Sequence, residues 1–273
     1  MGKFEGILIC SDLDGTLLNE DFKVSKENAE AIEYFKSEGG YFTFITGRMP
    51  YYARDIYEMA HPNAPIGCSN GAAVYDFERG EYLWSREMDK SALKFLEIVE
   101  RELPELGFNI NTYHEVLYCR ESSAMKFIRD VTGMPNTVRD FREVQEPFIK
   151  IVFGHKDRSL IDRLEEMLKQ APWVERFDAL RAGFCLYEMQ MKGIHKGIVL
   201  PILAAHLGID EKKIIAVGDQ ENDLGMIKAA HLGIAVENAS EAVKKVADRV
   251  TVHHRDHAIA KIISELDCGK ILL

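Results

Sequence analysis

Short apolar runs that end in polar, glycine-bearing clusters recur along this 273-residue chain, and they constrain its fold more than any other feature. Ile7-Leu8-Ile9-Cys10 leads into Ser11-Asp12-Leu13-Asp14-Gly15-Thr16. Residues 41–45 lead into Thr46-Gly47-Arg48, and residues 65–68 into Ser69-Asn70-Gly71. Residues 213–217 lead into Gly218-Asp219-Gln220-Glu221-Asn222-Asp223, and residues 233–236 form one more apolar run. Amphipathic stretches separate the runs. Lys26–Ser37 places Ala29, Ile32, Tyr34 and Phe35 on a helical period and is closed by Gly39-Gly40; residues 222–230 also read as a helix. Continuous apolar strands alternating with helices predict a parallel sheet buried on both faces. Parallel strands deliver their C-terminal ends to one edge, where ligands bind. The four polar clusters, distant in sequence, are therefore expected to meet in one crevice.

The middle of the chain has a different order. Strand patterns at 108–114 and 116–120 suggest a hairpin, and 149–153 and 184–189 are further strands, mixed with helices. The expected fold is α/β: a doubly wound, Rossmann-like parallel-sheet core of residues 1–86 and 188–273, interrupted by an inserted α+β domain of residues 87–187.

Composition narrows the class of partner. With 47% hydrophobic and 29% charged residues, the chain can bury a large core. A net charge of -10 argues against nucleic acid, which needs a basic face. Cys10, Cys68, Cys119, Cys185 and Cys268 are scattered and odd in number, without a CxxC pair, which predicts reduced thiols. Asp12 and Asp14 break the first apolar run too early for a secretion signal, and no stretch approaches membrane length. A cytoplasmic location without membrane partners is expected.

The chemistry sits in the clusters. Asp12, Asp14, Asp219 and Asp223 would bring four carboxylates into one space, where each raises the cost of ionising the others. A hard divalent cation relieves that cost, and an all-oxygen donor set with a few waters suits Mg²⁺. Each motif alone has a plainer reading: Asp-Leu-Asp-Gly as a turn, 218–223 as a helix cap, Lys196 as an exposed lysine. Their order at successive strand ends argues for a common site. His253, His254 and His257 also lie close together and read as a solvated loop rather than a metal site.

These residues resemble the haloacid dehalogenase superfamily. Its DxDGT motif corresponds to Asp12-Leu13-Asp14-Gly15-Thr16, its second-strand threonine to Thr46, its lysine before a helix to Lys196, and its GDxxND motif to Gly218 through Asp223. The long insertion, Ser69-Asn70-Gly71-Ala72 and Asn238-Ala239 are similar to the Cof-type subfamily with a type IIB cap. The chain departs from that pattern at Met191, where proline is usual, and at Asp256-His257-Ala258, where Asp-Gly-Val is usual. The resemblance implies a Mg²⁺-dependent phosphatase acting on a small phosphorylated metabolite, such as a sugar phosphate. A phosphomutase of the same superfamily, or an idle phosphate sensor, are the alternatives. It further implies Asp12 as nucleophile and Asp14 as acid and base, with a raised pKa. Leu13, Thr46, Gly47, Lys196 and Asn222 are then the phosphate-binding positions, and Asp12, Asp14 (through its backbone carbonyl), Asp219 and Asp223 the metal positions. The inserted domain is expected to cover the crevice and set specificity, with His114, Arg120 and Glu188 as polar candidates.

Overall fold

A computed structural model describes residues 2–133, 136–182 and 185–273, without the side chains of Val131 and Thr132. The chain divides into two compact units, Met1–Trp84 with His195–Leu273, and Ser85–Ile194.

The first unit is built on a five-stranded parallel sheet. Its strands are β1 (Leu8–Ser11), β2 (Tyr41–Phe44), β12 (Ile214–Gly218), β13 (Leu232–Ala235) and β14 (Arg249–Val250), in the order β14-β13-β12-β1-β2. The interior strand β1 is buried throughout and pairs with both β12 and β2, with Leu8 opposite Ile214 and Tyr41. Burial on both faces is why these strands read as unbroken apolar runs.

Helix α1 (Lys26–Ser37) starts where Ser25 Oγ accepts the Asn28 amide at 3.2 Å, and it buries Ile32 and Phe35. Helix α10 (Ala258–Asp267) packs against it. Helix α2 (Pro50–Ala60) follows β2, α7 (Val199–Leu207) precedes β12, and α8 (Leu224–Ala229) and α9 (Glu241–Val246) flank β13. Residues 222–223, expected to be helical, close a 3₁₀ turn (Glu221–Asp223) that leads into α8.

The third apolar run departs from the expected parallel sheet. β3 (Ile66–Cys68) heads a separate three-stranded sheet with β4 (Ala73–Asp76) and β5 (Glu81–Ser85). It touches the parallel sheet through one bridge, Ile45 to Gly67. The cause is local: the chain reverses through Ser69-Asn70-Gly71, so β3 spends its hydrogen bonds on β4, antiparallel.

The second unit carries a six-stranded sheet in the order β10-β11-β9-β6-β7-β8. Its strands are β6 (Gly107–Thr112), β7 (Val116–Arg120), β8 (Asn136–Val138), β9 (Phe148–Gly154), β10 (Phe177–Ala182) and β11 (Leu186–Met191). Phe184, expected to open the last strand, lies outside the described residues. Phe108, Ile110, Ile151 and Phe153 form its core with Phe95 and Leu96 of α3 (Ser91–Glu102) and Leu160 and Leu164 of α5 (Arg158–Leu168). Two of the polar candidates have structural partners here: Arg120 pairs with Glu100 at 3.2 Å, and Glu188 with Lys150 at 2.9 Å. At the first departure from the family pattern, Met191 ends β11 and its sulfur accepts the Asp89 amide at 3.2 Å.

Candidate active site

The adjacent parallel strands β1 and β12 end together, with Ser11 opposite Val217, and the residues just beyond them, Asp12 and Asp219, come close to one another. The Asp12 amide continues the β1–β12 ladder by donating to Val217 O at 2.8 Å, which fixes where its side chain starts. The chain then turns sharply. Leu13 O accepts the amides of Thr16, Leu17 and Leu18 at 3.3, 3.1 and 2.9 Å, and Leu13 itself is buried. Gly15 sits at φ +84°, and a methyl group there would come 2.5 Å from Asp219 Oδ2. Both the left-handed backbone and the close approach call for glycine. Thr16 Oγ1 donates to Asp219 Oδ1 at 3.3 Å, tying the turn to β12.

Asp12, Asp219 and Asp223 each offer a carboxylate oxygen within 4.8 Å of the others, and all three residues are buried. Asp223 is held in place from the loop, because its Oδ2 accepts the amides of Asp219 and Gln220 at 2.9 and 3.1 Å. Lys196 enters from the 3₁₀ turn Lys196–Ile198 and is completely buried. Its Nζ donates to Asp12 Oδ1 and to Asp223 Oδ1, each at 2.5 Å. The plain expectation of an exposed lysine is thereby overturned: two buried carboxylates draw it inward.

Burial, and then the charge of Asp223, push the Asp12 carboxyl well above its ordinary range, against the pull of Lys196. Burial and Asp223 likewise raise Asp219 to about 6. Burial alone would lower Lys196, but Asp12 and Asp223 more than offset it and keep it an ammonium. Fully ionised, the three carboxylates against this one ammonium would leave two net negative charges, which a divalent cation cancels. The donors are all hard oxygens, so the residues present fit Mg²⁺.

Asp14 behaves differently from the expected fourth carboxylate. It is half-exposed, and its two oxygens take a bidentate ion pair from Arg48, Nη2 to Oδ1 at 2.6 Å and Nε to Oδ2 at 3.3 Å. Three carboxylates, not four, therefore share the buried pocket among the described residues. Next to it, Arg48 N donates to Thr46 Oγ1 at 3.2 Å, and Thr46 N to Gly67 O at 3.0 Å, so β3 positions the loop after β2. Asn222 Nδ2 reaches Asn70 Oδ1 at 3.3 Å. Arg48 and Asn70 were visible in the sequence inside their clusters, but spacing gives no direction for a side chain. Asn238 closes the loop from the other side, with Nδ2 on Gly15 O at 2.8 Å and Oδ1 accepting the His254 amide at 3.0 Å.

The three histidines do not join any metal-capable group among the described residues. They are half-buried, on a loop whose Arg255 and Asp256 are exposed, and each ring makes a hydrogen bond within the protein. His253 Nδ1 accepts the Arg255 amide, His254 Nδ1 bonds Leu18 O at 2.9 Å, and His257 Nδ1 bonds Ser25 Oγ at 2.9 Å. His257 has φ +59°, which explains why glycine suits this position in the Cof-type pattern.

Comparison with known proteins gives the family. The family model for haloacid dehalogenase-like hydrolases matches residues 9–263. The 5-amino-6-(5-phospho-D-ribitylamino)uracil phosphatase YitU of Bacillus subtilis is 29% identical, covering 94% of this chain and 96% of its own. A haloacid dehalogenase-like hydrolase from Bacteroides thetaiotaomicron superposes with a TM-score of 0.85 at 24% identity, over 96% of this chain and 100% of the other. A subclass IIB sugar phosphatase of the superfamily superposes with a TM-score of 0.79 at 21% identity, over 97% and 100%. At these identities the two superpositions speak for the fold. With the family model matched over nearly its whole length, and the family's strand-end residues gathered in one unit, the chain belongs to the haloacid dehalogenase-like hydrolases, in their Cof-type branch.

Proposed function

We propose that this phosphatase hydrolyses small phosphorylated metabolites, sugar phosphates or compounds like them, in two steps through an aspartyl-phosphate on Asp12, with Mg²⁺ as cofactor. The observation that carries the reading is the buried Asp12 carboxylate, gripped by Lys196 and flanked by Asp219 and Asp223. Asp12, Asp219, Asp223 and the backbone carbonyl of Asp14 would hold the metal. When bound, Mg²⁺ neutralises charge on these carboxylates and on the transferring group.

The remaining work falls to the chain's own groups. Asp12 attacks phosphorus, and covalent catalysis splits one difficult displacement into two. Lys196, the Thr46 hydroxyl, the Gly47 amide, Leu13 and Asn222 hold the phosphoryl oxygens. Preorganised donors of this kind supply most of what a protein can add to phosphoryl transfer. Asp14 gives a proton to the leaving oxygen and then takes one from the water that hydrolyses the intermediate. To act, it must leave Arg48, and that ion pair marks its resting position. Selection among metabolites is assigned to the inserted unit, and the presence of a phosphatase for a phosphorylated ribityl compound among the relatives supports a substrate of this class.

The test is phosphate release from p-nitrophenyl phosphate before and after chelation. Activity should vanish with chelator and return with Mg²⁺. Full activity without divalent metal would overturn the assignment.

A further inference from the structure

The turn after β3 is strained and buried, and the mechanism above does not use it. Ser69, Asn70 and Gly71 all have positive φ, +51°, +54° and +96°, and two of them carry side chains. Ser69 is fully buried and Asn70 nearly so. The Ser69 hydroxyl has no hydrogen-bond partner among the described residues, so its side chain does not hold the turn. The left-handed region is unfavourable for any residue with a Cβ, and such strain collects where a backbone is required to serve a site.

What the strain achieves is a placement. The Ser69 amide donates to Arg48 O and the Asn70 amide to Thr46 O, both at 2.9 Å, which locks the turn against the loop after β2. The Asn70 side chain then lies against Gly47: a methyl group built on Gly47 would meet Asn70 Oδ1 at 3.1 Å and Nδ2 at 3.2 Å. The same Oδ1 accepts Asn222 Nδ2 at 3.3 Å. One carboxamide thus faces Gly47 and bonds Asn222, which arrive on separate loops, after β2 and after β12. Gly71 allows this seat, because a methyl group there would run into His195 O, next to Lys196.

We propose that Asn70 is a positioning residue for phosphoryl transfer: its carboxamide sets the spacing between the Thr46–Gly47 loop and Asn222, and so the geometry of the donors around the phosphoryl group. The proposal rests on the reading of the site given above. An asparagine kept only because it tolerates a left-handed turn would have no need of a side chain that bridges two loops.

Asn70→Gly separates these roles. Glycine is at ease at φ +54° and removes the carboxamide. The positioning role predicts a variant that still folds, because relief of the left-handed backbone offsets part of the lost carboxamide contact. It also predicts kcat for p-nitrophenyl phosphate down about tenfold or more, with KM changed less, because misplacement is felt most in the transition state. Inhibition by orthovanadate, which mimics the five-coordinate phosphorus, should weaken by a similar factor. Native kcat and native vanadate inhibition in Asn70→Gly would overturn the proposal. If that variant fails to fold, Asn70→Asp retains the shape and sets a negative charge against the same donors. It should lose vanadate inhibition, and native inhibition in Asn70→Asp would equally overturn the idea. Failure of the underlying reading is distinct: it would appear as absence of Mg²⁺-dependent turnover in the native protein.

Discussion

At the scale of single residues, the site is governed by charge bookkeeping under burial. Lys196 is the cation that touches both Asp12 and Asp223, and removing one partner of a buried ion pair leaves the other uncompensated. Lys196→Met should therefore destabilise the metal-free protein by about 3 kcal/mol in urea unfolding. It should also reduce turnover by at least about 10²-fold, as loss of a preorganised charge does. Unchanged stability would contradict the ion pairing of Lys196 with Asp12 and Asp223. The raised carboxyls also predict a pH dependence. A carboxyl with a folded pKa above its unfolded value favours the protonated folded state, so its destabilising effect grows as pH rises from about 4 to about 6. Under the proposed function, Mg²⁺ would remove that effect by replacing the proton. The rise in melting temperature on adding Mg²⁺ should be larger at pH 7.5 than at pH 5, and an equal rise at both would contradict the cause given for Asp219.

At the scale of elements, loops and caps do separable jobs. The turn from Asp12 to Thr16 needs glycine at position 15 for backbone and contact reasons alike. Gly15→Ala should push Asp219 aside, so that the Mg²⁺ concentration for half-maximal activity rises about tenfold or more, an energy equal to one lost contact to a charged group. Ser25→Ala removes the cap of α1 and should cost about 1 kcal/mol of stability with kcat unchanged. Much of this level was legible in the sequence. Lys26–Ser37 is the observed helix residue for residue, because its cap, its apolar period and its closing glycines agree. The strands around Asp12, Thr46 and Asp219 lie within a residue or so of their expected places. β3 was not legible as an antiparallel strand, because an apolar run looks the same whichever neighbour it pairs with. The Arg48–Asp14 pair was hidden for a related reason: sequence order brings the two loops together but does not say which way Asp14 turns. β8, with all three residues exposed, lacks the apolar signal that marks the others.

At the scale of the whole molecule, the division into two compact units has a thermodynamic consequence. Every residue assigned to metal, phosphate or proton transfer lies in the unit formed by Met1–Trp84 and His195–Leu273. Ser85–Ile194 has its own core around Phe95, Phe108 and Phe153. A ligand that binds only the folded form of one unit stabilises that unit by mass action. Calorimetry should resolve two unfolding transitions, of which Mg²⁺ raises one, and Phe153→Ala should lower the other. A single transition shifted as a whole would show that the units unfold together.

The central claim is that Asp12 carries the phosphoryl group and Asp14 helps to remove it. In Asp14→Asn the amide can neither donate an acidic proton nor accept one from water, while the backbone carbonyl and the side-chain size remain. An aryl phosphate loses its leaving group with little acid assistance, so Asp12 should still become phosphorylated. Hydrolysis of the intermediate needs a base, typically worth about 10²- to 10⁴-fold, and should slow more. The decisive measurement is acid-quenched retention of labelled phosphate on the protein after mixing with labelled aryl phosphate and Mg²⁺, with Asp12→Asn as the blank. Retained label in Asp14→Asn well above the native protein, and none in Asp12→Asn, is the predicted result; equal retention in native protein and Asp14→Asn with turnover unimpaired, or label retained by Asp12→Asn, would contradict the account.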